Sequence, residues 1–203
     1  PEVSSELRYG AQVSVPATER EGYTFKGWFD AAEGGNALDV NLTAIEPVTY
    51  YAQWEINQYT ITFDTVGGTE IPAKTQDYGT AVEAPADPEK LGHTFAGWDV
   101  AVPTTMPAED MTITAQWTVN SYDAIFNAGE GKFADGSATA TTEDVVFGEE
   151  ITAPAENPSR EGYDFIGWST DGETVLTPVG IMDAEGKEFK AVWEINQYTI
   201  TFA

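Results

Sequence analysis

Six tryptophans occupy two kinds of position in this chain, and both kinds recur three times. Trp28, Trp98 and Trp168 each close a box of the form Gly-Tyr/His-Thr/Asp-Phe-x-Gly-Trp, at 22–28, 92–98 and 162–168. Trp54, Trp117 and Trp193 each end a short alternating run: TYYAQW, TITAQW and EFKAVW. On length alone 203 residues could form a single domain. A threefold internal repeat instead makes the chain an array of about three units, each roughly 60–75 residues long. Units this small bury little surface by themselves and need dense aromatic cores or neighbour contacts. The 6 Trp, 9 Tyr and 10 Phe supply the aromatic part of that requirement.

Four landmarks phase the repeat. A strand-like run with period-two alternation appears as Tyr59–Phe63, Tyr122–Phe126 and Tyr198–Phe202. An aromatic–Gly pair leads through apolar alternation to a proline, as Tyr9-Gly10 to Pro16, Tyr78-Gly79 to Pro85, and Phe147-Gly148 to Pro154. The Gly-Trp box and the Trp-ended strand complete the set. The aromatic–Gly pairs are 69 residues apart each time and the box tryptophans 70. From the first strand to the last Trp, the third unit is 13 residues longer than the second. The extra residues fall as six after the first strand, one before the box and six between the two tryptophans, three segments expected to be surface loops.

The chain divides on this phasing into modules at 1–56, 57–119 and 120–195, with 196–203 as the first strand of a truncated fourth. The first module lacks its own first strand unless 1–7 substitutes. TrpGluIleAsnGlnTyrThrIleThrPhe occurs identically at 54–63 and 193–202. Within it, Trp54 and Ile56 share one parity while Tyr59, Ile61 and Phe63 share the other. A one-residue slip moves every side chain of a strand to its other face, so the run is two strands broken at Asn57-Gln58. The same flip occurs at Asn120-Ser121 and Asn196-Gln197. So short a connector predicts a stiff, elongated array of mostly β modules. Strands rich in Thr, Ile, Val and Tyr agree with that class. The best helical candidate is Ala37–Ile45. The box glycines at 22, 27, 92, 97, 162 and 167 predict tight turns or close backbone approach.

Together these landmarks, YTITFD followed by Gly-Gly, the aromatic–Gly pair, GYTFxGW and the final AQW strand, resemble the Listeria–Bacteroides repeat, also called the internalin B-repeat. Residues 105–117, TMPAEDMTITAQW, are especially typical. The resemblance covers essentially the whole chain. It implies a small β-grasp-like (ubiquitin-like) module in bacterial surface proteins, secreted or attached to the cell wall. It also implies a stalk or accessory adhesion role, with no catalytic motif to carry over. The missing first strand of module one and His93 in place of Tyr are the departures.

Net charge is −25, from 34 acids against 9 Lys+Arg. Nucleic acids and anionic membranes need clustered cations, so neither is an expected partner. No apolar run approaches the ~18–20 residues that span a bilayer, so membrane insertion is not expected either. The first ten residues carry no signal peptide, and the chain starts and stops inside the repeat pattern, so targeting segments are expected outside it. Without cysteine there is no disulfide, thiolate site or Cys nucleophile. His93 is the single histidine and occupies the place of Tyr23 and Tyr163, which reads as packing or surface. No phosphate-binding glycine loop is present. No carboxylate pair stands out for glycoside chemistry, and no DxDxDG loop for calcium, although 143–144, 149–150 and 171–173 are acidic. No lysine recurs at one position in all three modules, which disfavours an isopeptide bond. We therefore expect no enzyme activity, no cofactor and no metal. The tryptophans are expected in the module cores. Tyr23, His93 and Tyr163 are the candidate ligand surface, for a host surface protein or a glycan. Tyr198, Ile200 and Phe202 are candidates for strand exchange with another chain.

Overall fold

A computed structural model describes residues 4–38, 41–177 and 179–202. Among these residues there are ten strands and no helix: β1 (Tyr23–Phe29), β2 (Tyr51–Ile56), β3 (Gln58–Asp64), β4 (Lys74–Asp77), β5 (His93–Trp98), β6 (Met111–Val119), β7 (Ser121–Asn127), β8 (Thr139–Val146), β9 (Tyr163–Ser169) and β10 (Lys187–Ile195). They form small sheets in tandem, ordered β1-β2, β4-β3-β6-β5 and β8-β7-β10-β9. The mostly β repeat fold expected from the sequence is observed.

Each four-stranded sheet is built around a parallel pair made of the first and last strands of one repeat. Ile61 lies opposite Met111 and Phe63 opposite Ile113. Ala124 lies opposite Lys187 and Phe126 opposite Phe189. β3 also pairs antiparallel with β4, and β7 with β8. The first strand of a repeat is therefore central, with a hydrogen-bonded neighbour on each side.

The chain falls into two compact units. The first contains Pro1–Val66, Glu70–Ala86 and Trp98–Ala115; the second contains Gly67–Thr69, Asp87–Gly97 and Gln116–Ala203. In the first unit the core is Ile61, Phe63, Met106 and Ile113, with Trp98 and Val82 packed against it. In the second unit it is Ala124, Phe126, Ile151, Trp168, Met182 and Phe189. Phe126 and Phe189 stack at 4.9 Å and 13°, and Phe126 meets Trp168 at 5.0 Å. Full burial of each such ring is worth about 1.5–3 kcal/mol. The alternation explains the choice of residues: Ile61 and Phe63 point inward while Thr62 between them is exposed.

The Gly-Trp box owes its spacing to a β-bulge. Phe25 faces Trp54 and Trp28 faces Ala52, with the register slipping between Phe25 and Gly27. The same slip separates Phe165 from Gly167 in β9. An extra residue resets the side-chain parity, so Phe and Trp three positions apart reach one face. Their rings touch there, Phe25–Trp28 at 5.8 Å and Phe165–Trp168 at 5.1 Å. Gly27, Gly97 and Gly167 have φ of 131°, 117° and 155°, a region that favours glycine.

Two expectations are corrected. Ala37–Ile45, the helical candidate, holds no helix at its described residues, where Ala37 and Thr43 form isolated antiparallel bridges to Phe29 and Gln12; 39 and 40 lie outside them. Its backbone groups bond across the chain: Leu38 N–H donates to Trp28, Val13 N–H to Leu42, and Ala44 N–H to Ala11. Those partners replace the i−4 bonds a helix would need. The six-residue insertion after the first strand is not only loop, since β8 has 8 residues where β4 has 4. In addition, residues 196–202 carry no strand structure.

Candidate functional site at the joints between repeats

Two of the three breaks expected at asparagines lie between strands, each narrowed to one residue; after Asn196 no strand follows among the described residues. β2 ends at Ile56 and β3 starts at Gln58; β6 ends at Val119 and β7 starts at Ser121. Asn57 and Asn120 are thus the linkers, and each organises the same set of contacts.

At the first joint, within the first unit, Asn57 N–H donates to the Gly22 carbonyl at 2.9 Å, and Tyr78 N–H donates to the Asn57 carbonyl at 2.9 Å. The Thr24 hydroxyl donates to Asn57 Oδ1 at 2.6 Å. Asn57 Nδ2 donates to the Tyr59 hydroxyl at 3.2 Å. The Tyr78 ring then lies edge-on to Tyr23 at 6.1 Å and to Tyr59 at 6.5 Å.

The second joint, within the second unit, repeats this arrangement. Asn120 N–H donates to the Gly92 carbonyl and Phe147 N–H to the Asn120 carbonyl, both at 2.9 Å. Thr94 donates to Asn120 Oδ1 at 2.7 Å, and Asn120 Nδ2 to the Tyr122 hydroxyl at 3.3 Å. Phe147 meets His93 edge-on at 5.9 Å. Close approach requires the glycine. A Cβ on Gly22 would lie 2.0 Å from the Tyr78 ring, and one on Gly92 2.3 Å from Phe147.

The third copy keeps half of the set. Asn196 N–H donates to the Gly162 carbonyl at 2.9 Å, and Asn196 Nδ2 to the Tyr198 hydroxyl at 3.4 Å. A Cβ on Gly162 would meet nothing within 4 Å. Asp164 stands where Thr24 and Thr94 donate their hydroxyls, and Asn196 Oδ1 is buried without a hydrogen-bond partner.

The three candidate ligand residues therefore all sit at joints. Tyr23, His93 and Tyr163 are half-buried. Tyr23 carries Tyr78 against it and the Arg20 guanidinium over its ring at 3.6 Å. His93 carries Phe147, with Trp117 at 6.5 Å. Tyr163 has Arg160 over its ring at 3.7 Å. The tryptophans are core-associated to different degrees. Trp168 is buried and Trp98 packs on a core cluster. Trp54, Trp117 and Trp193 are half-buried and close over Phe25, Phe95 and Phe165 at 5.1, 5.6 and 5.6 Å. Trp117 and Trp193 also cover Gly68 and Gly131, where a Cβ would approach their rings to 2.6 and 2.3 Å.

The carboxylates with lowered pKa serve turns. The Ser169 hydroxyl, then the Thr174 and Glu173 amides, hold Asp171 far below the usual carboxylate range. The Thr114 amide lowers the pKa of Asp99, the Asn36 amide that of Asp30, and the Ser137 hydroxyl that of Asp135. Among the described residues no three acidic or histidine side chains converge to hold a metal ion, and no helix is long and apolar enough to cross a membrane.

The asparagine breaks and the aromatic–Gly pairs are each legible in the sequence. Their pairing is not, because the contact between them spans 21 residues in one repeat and 27 in the next.

The family model of the Listeria-Bacteroides repeat domain matches residues 2–53, 59–116 and 122–179. The chain belongs to the Listeria–Bacteroides repeat family. A protein of Evansella cellulosilytica named as a membrane protein is 34% identical over 177 residues, covering 82% of this chain and 26% of its own length. A second protein of that organism, named as a Gly-rich membrane protein, is 33% identical over 222 residues, covering 97% of this chain and 24% of its own. Internalin H of Listeria monocytogenes is 40% identical over 115 residues, covering 51% of this chain and 21% of its own. The Listeria–Bacteroides repeats here thus span about a quarter of the length of these relatives.

Proposed function

We propose that these repeats form a non-catalytic, stiff spacer in a bacterial surface protein, outside the cell, holding another part of that protein away from its anchorage. The observation that carries this reading is the joint. A one-residue linker with both backbone groups bonded, a side-chain amide clamp and an aromatic ring against glycine leaves few rotatable bonds between repeats. Family membership and the similarity to Internalin H support a surface location. The surplus of acids keeps neighbouring copies apart. An adhesive role toward a host protein or glycan would draw on Tyr23, His93 and Tyr163. Aromatic cover over the first two weighs toward the spacer.

Small-angle scattering on monomeric protein tests the proposal. A spacer gives a radius of gyration well above the ~17 Å of one compact 203-residue domain. A value near that figure refutes it.

A further inference from the structure

We infer that the second and third repeats are shear clamps, each built to carry tension between its two ends without unfolding. This goes beyond the spacer reading, because a spacer can be stiff at rest and still come apart when pulled. The chain enters the third repeat at the start of β7 and leaves it at the end of β10, and these two strands are parallel neighbours. Entry and exit therefore lie at opposite ends of one ladder. Tension applied there slides β7 along β10 and loads all the evenly spaced hydrogen bonds of the ladder together. Tension applied across the same strands opens those bonds one after another. The second repeat has the same geometry, with β3 and β6 as parallel neighbours.

The loaded ladder is also the most sheltered one. It joins Ala124–Asn127 to Lys187–Lys190, with β8 on the outer side of β7 and β9 on that of β10. Phe126 and Phe189 lie opposite each other in it, fully buried and stacked at 4.9 Å. In the second repeat Ile61 and Ile113 are fully buried on the corresponding strands. Hydrogen bonds set among such side chains are shielded from water and so are stronger than exposed ones. Sliding the strands must in addition drag the stacked rings past one another.

Length variation points the same way. β3 and β7 both have 7 residues, and β6 and β10 both have 9. The connectors at Asn57 and Asn120 are one residue each. The 13 residues by which the third repeat exceeds the second all fall between its first and last strands. Load bypasses that stretch, because β7 hands tension directly to β10. Length is thus constant on the loaded path and varies only off it.

Single-molecule pulling tests the inference. The chain has no cysteine, so a pair of introduced cysteines fixes where force enters. In the full chain, Ser121→Cys with Glu194→Cys pulls along the ladder. Ile125→Cys with Glu188→Cys, directly opposite each other, pulls across it. All four positions are exposed. Unfolding should lengthen the first pair by up to about 240–260 Å and the second by up to about 210–230 Å, at ~3.3–3.6 Å per residue. A trace with that lengthening reports a repeat that was folded when loaded. At one pulling speed, rupture along the ladder is expected at a several-fold higher force than rupture across it, since forced unfolding follows the unfolding rate. Gln58→Cys with Thr118→Cys, against Thr62→Cys with Thr112→Cys, makes the same comparison in the second repeat if a handle unfolds the third. Equal forces in the two directions overturn the inference, as does a repeat that gives way in steps at low force along the ladder. Scattering from the unloaded chain does not sense the strength of this ladder. A weak clamp therefore leaves the spacer proposal standing, and a compact chain leaves the clamp standing.

Discussion

Gly92 and Gly162 occupy the same turn of successive repeats, with φ of 70° and 76°. Their surroundings differ: Gly92 lies under Phe147 and Gly162 under nothing within 4 Å. Alanine costs both positions the left-handed backbone penalty, about 1–2 kcal/mol. Only Gly92→Ala must also displace a ring, which adds about 1–3 kcal/mol. Urea unfolding midpoints should therefore fall further for Gly92→Ala than for Gly162→Ala. Equal shifts would mean that the ring contact contributes nothing to stability. The requirement for glycine was legible in the sequence. So was the tight turn behind it; the ring over Gly92 was not, because it comes from the following repeat.

Elements show the same dependence on partners. The decapeptide at 54–63 forms the end of β2 and nearly all of β3, whereas its copy at 193–202 forms only the end of β10. In β3 this sequence is laddered on both sides, to β4 and to β6, by segments that come later in the same repeat. The loop after β9 gives an element-scale test. Asp171 is ionised more readily in the folded state, so its contribution is full above the unfolded pKa of about 3.9 and is lost as pH falls through the depressed folded value. Asp171→Asn should lower stability at pH 7 and flatten the loss below about pH 4. Hydrogen exchange at the Glu173 and Thr174 amides reads this directly. An unchanged acid profile would show that the carboxylate charge does not hold the loop.

At the scale of the molecule, each joint lies inside a compact unit, and the division between units passes through the second repeat. Repeats joined this way unfold together to the extent that the joints hold. Asn120→Ala keeps the two backbone bonds but strips the Thr94 and Tyr122 hydroxyls of their partner, a loss of about 1–2 kcal/mol. Calorimetry should show one transition for the parent and two for the variant. A variant that still melts in one step would place the coupling elsewhere.

The threefold module, its mostly β class, the alternating core residues and the breaks at Asn57 and Asn120 were all determined by the sequence. Each follows from local periodicity and from repetition at constant spacing. Tertiary structure alone decided that Phe and Trp of the box share a face, since a bulge resets their parity. It alone brought Asn57 to Gly22 and Tyr78, and Asn120 to Gly92 and Phe147. Contacts between distant segments are set by which backbone groups and rings find partners in space, and no window of sequence contains both.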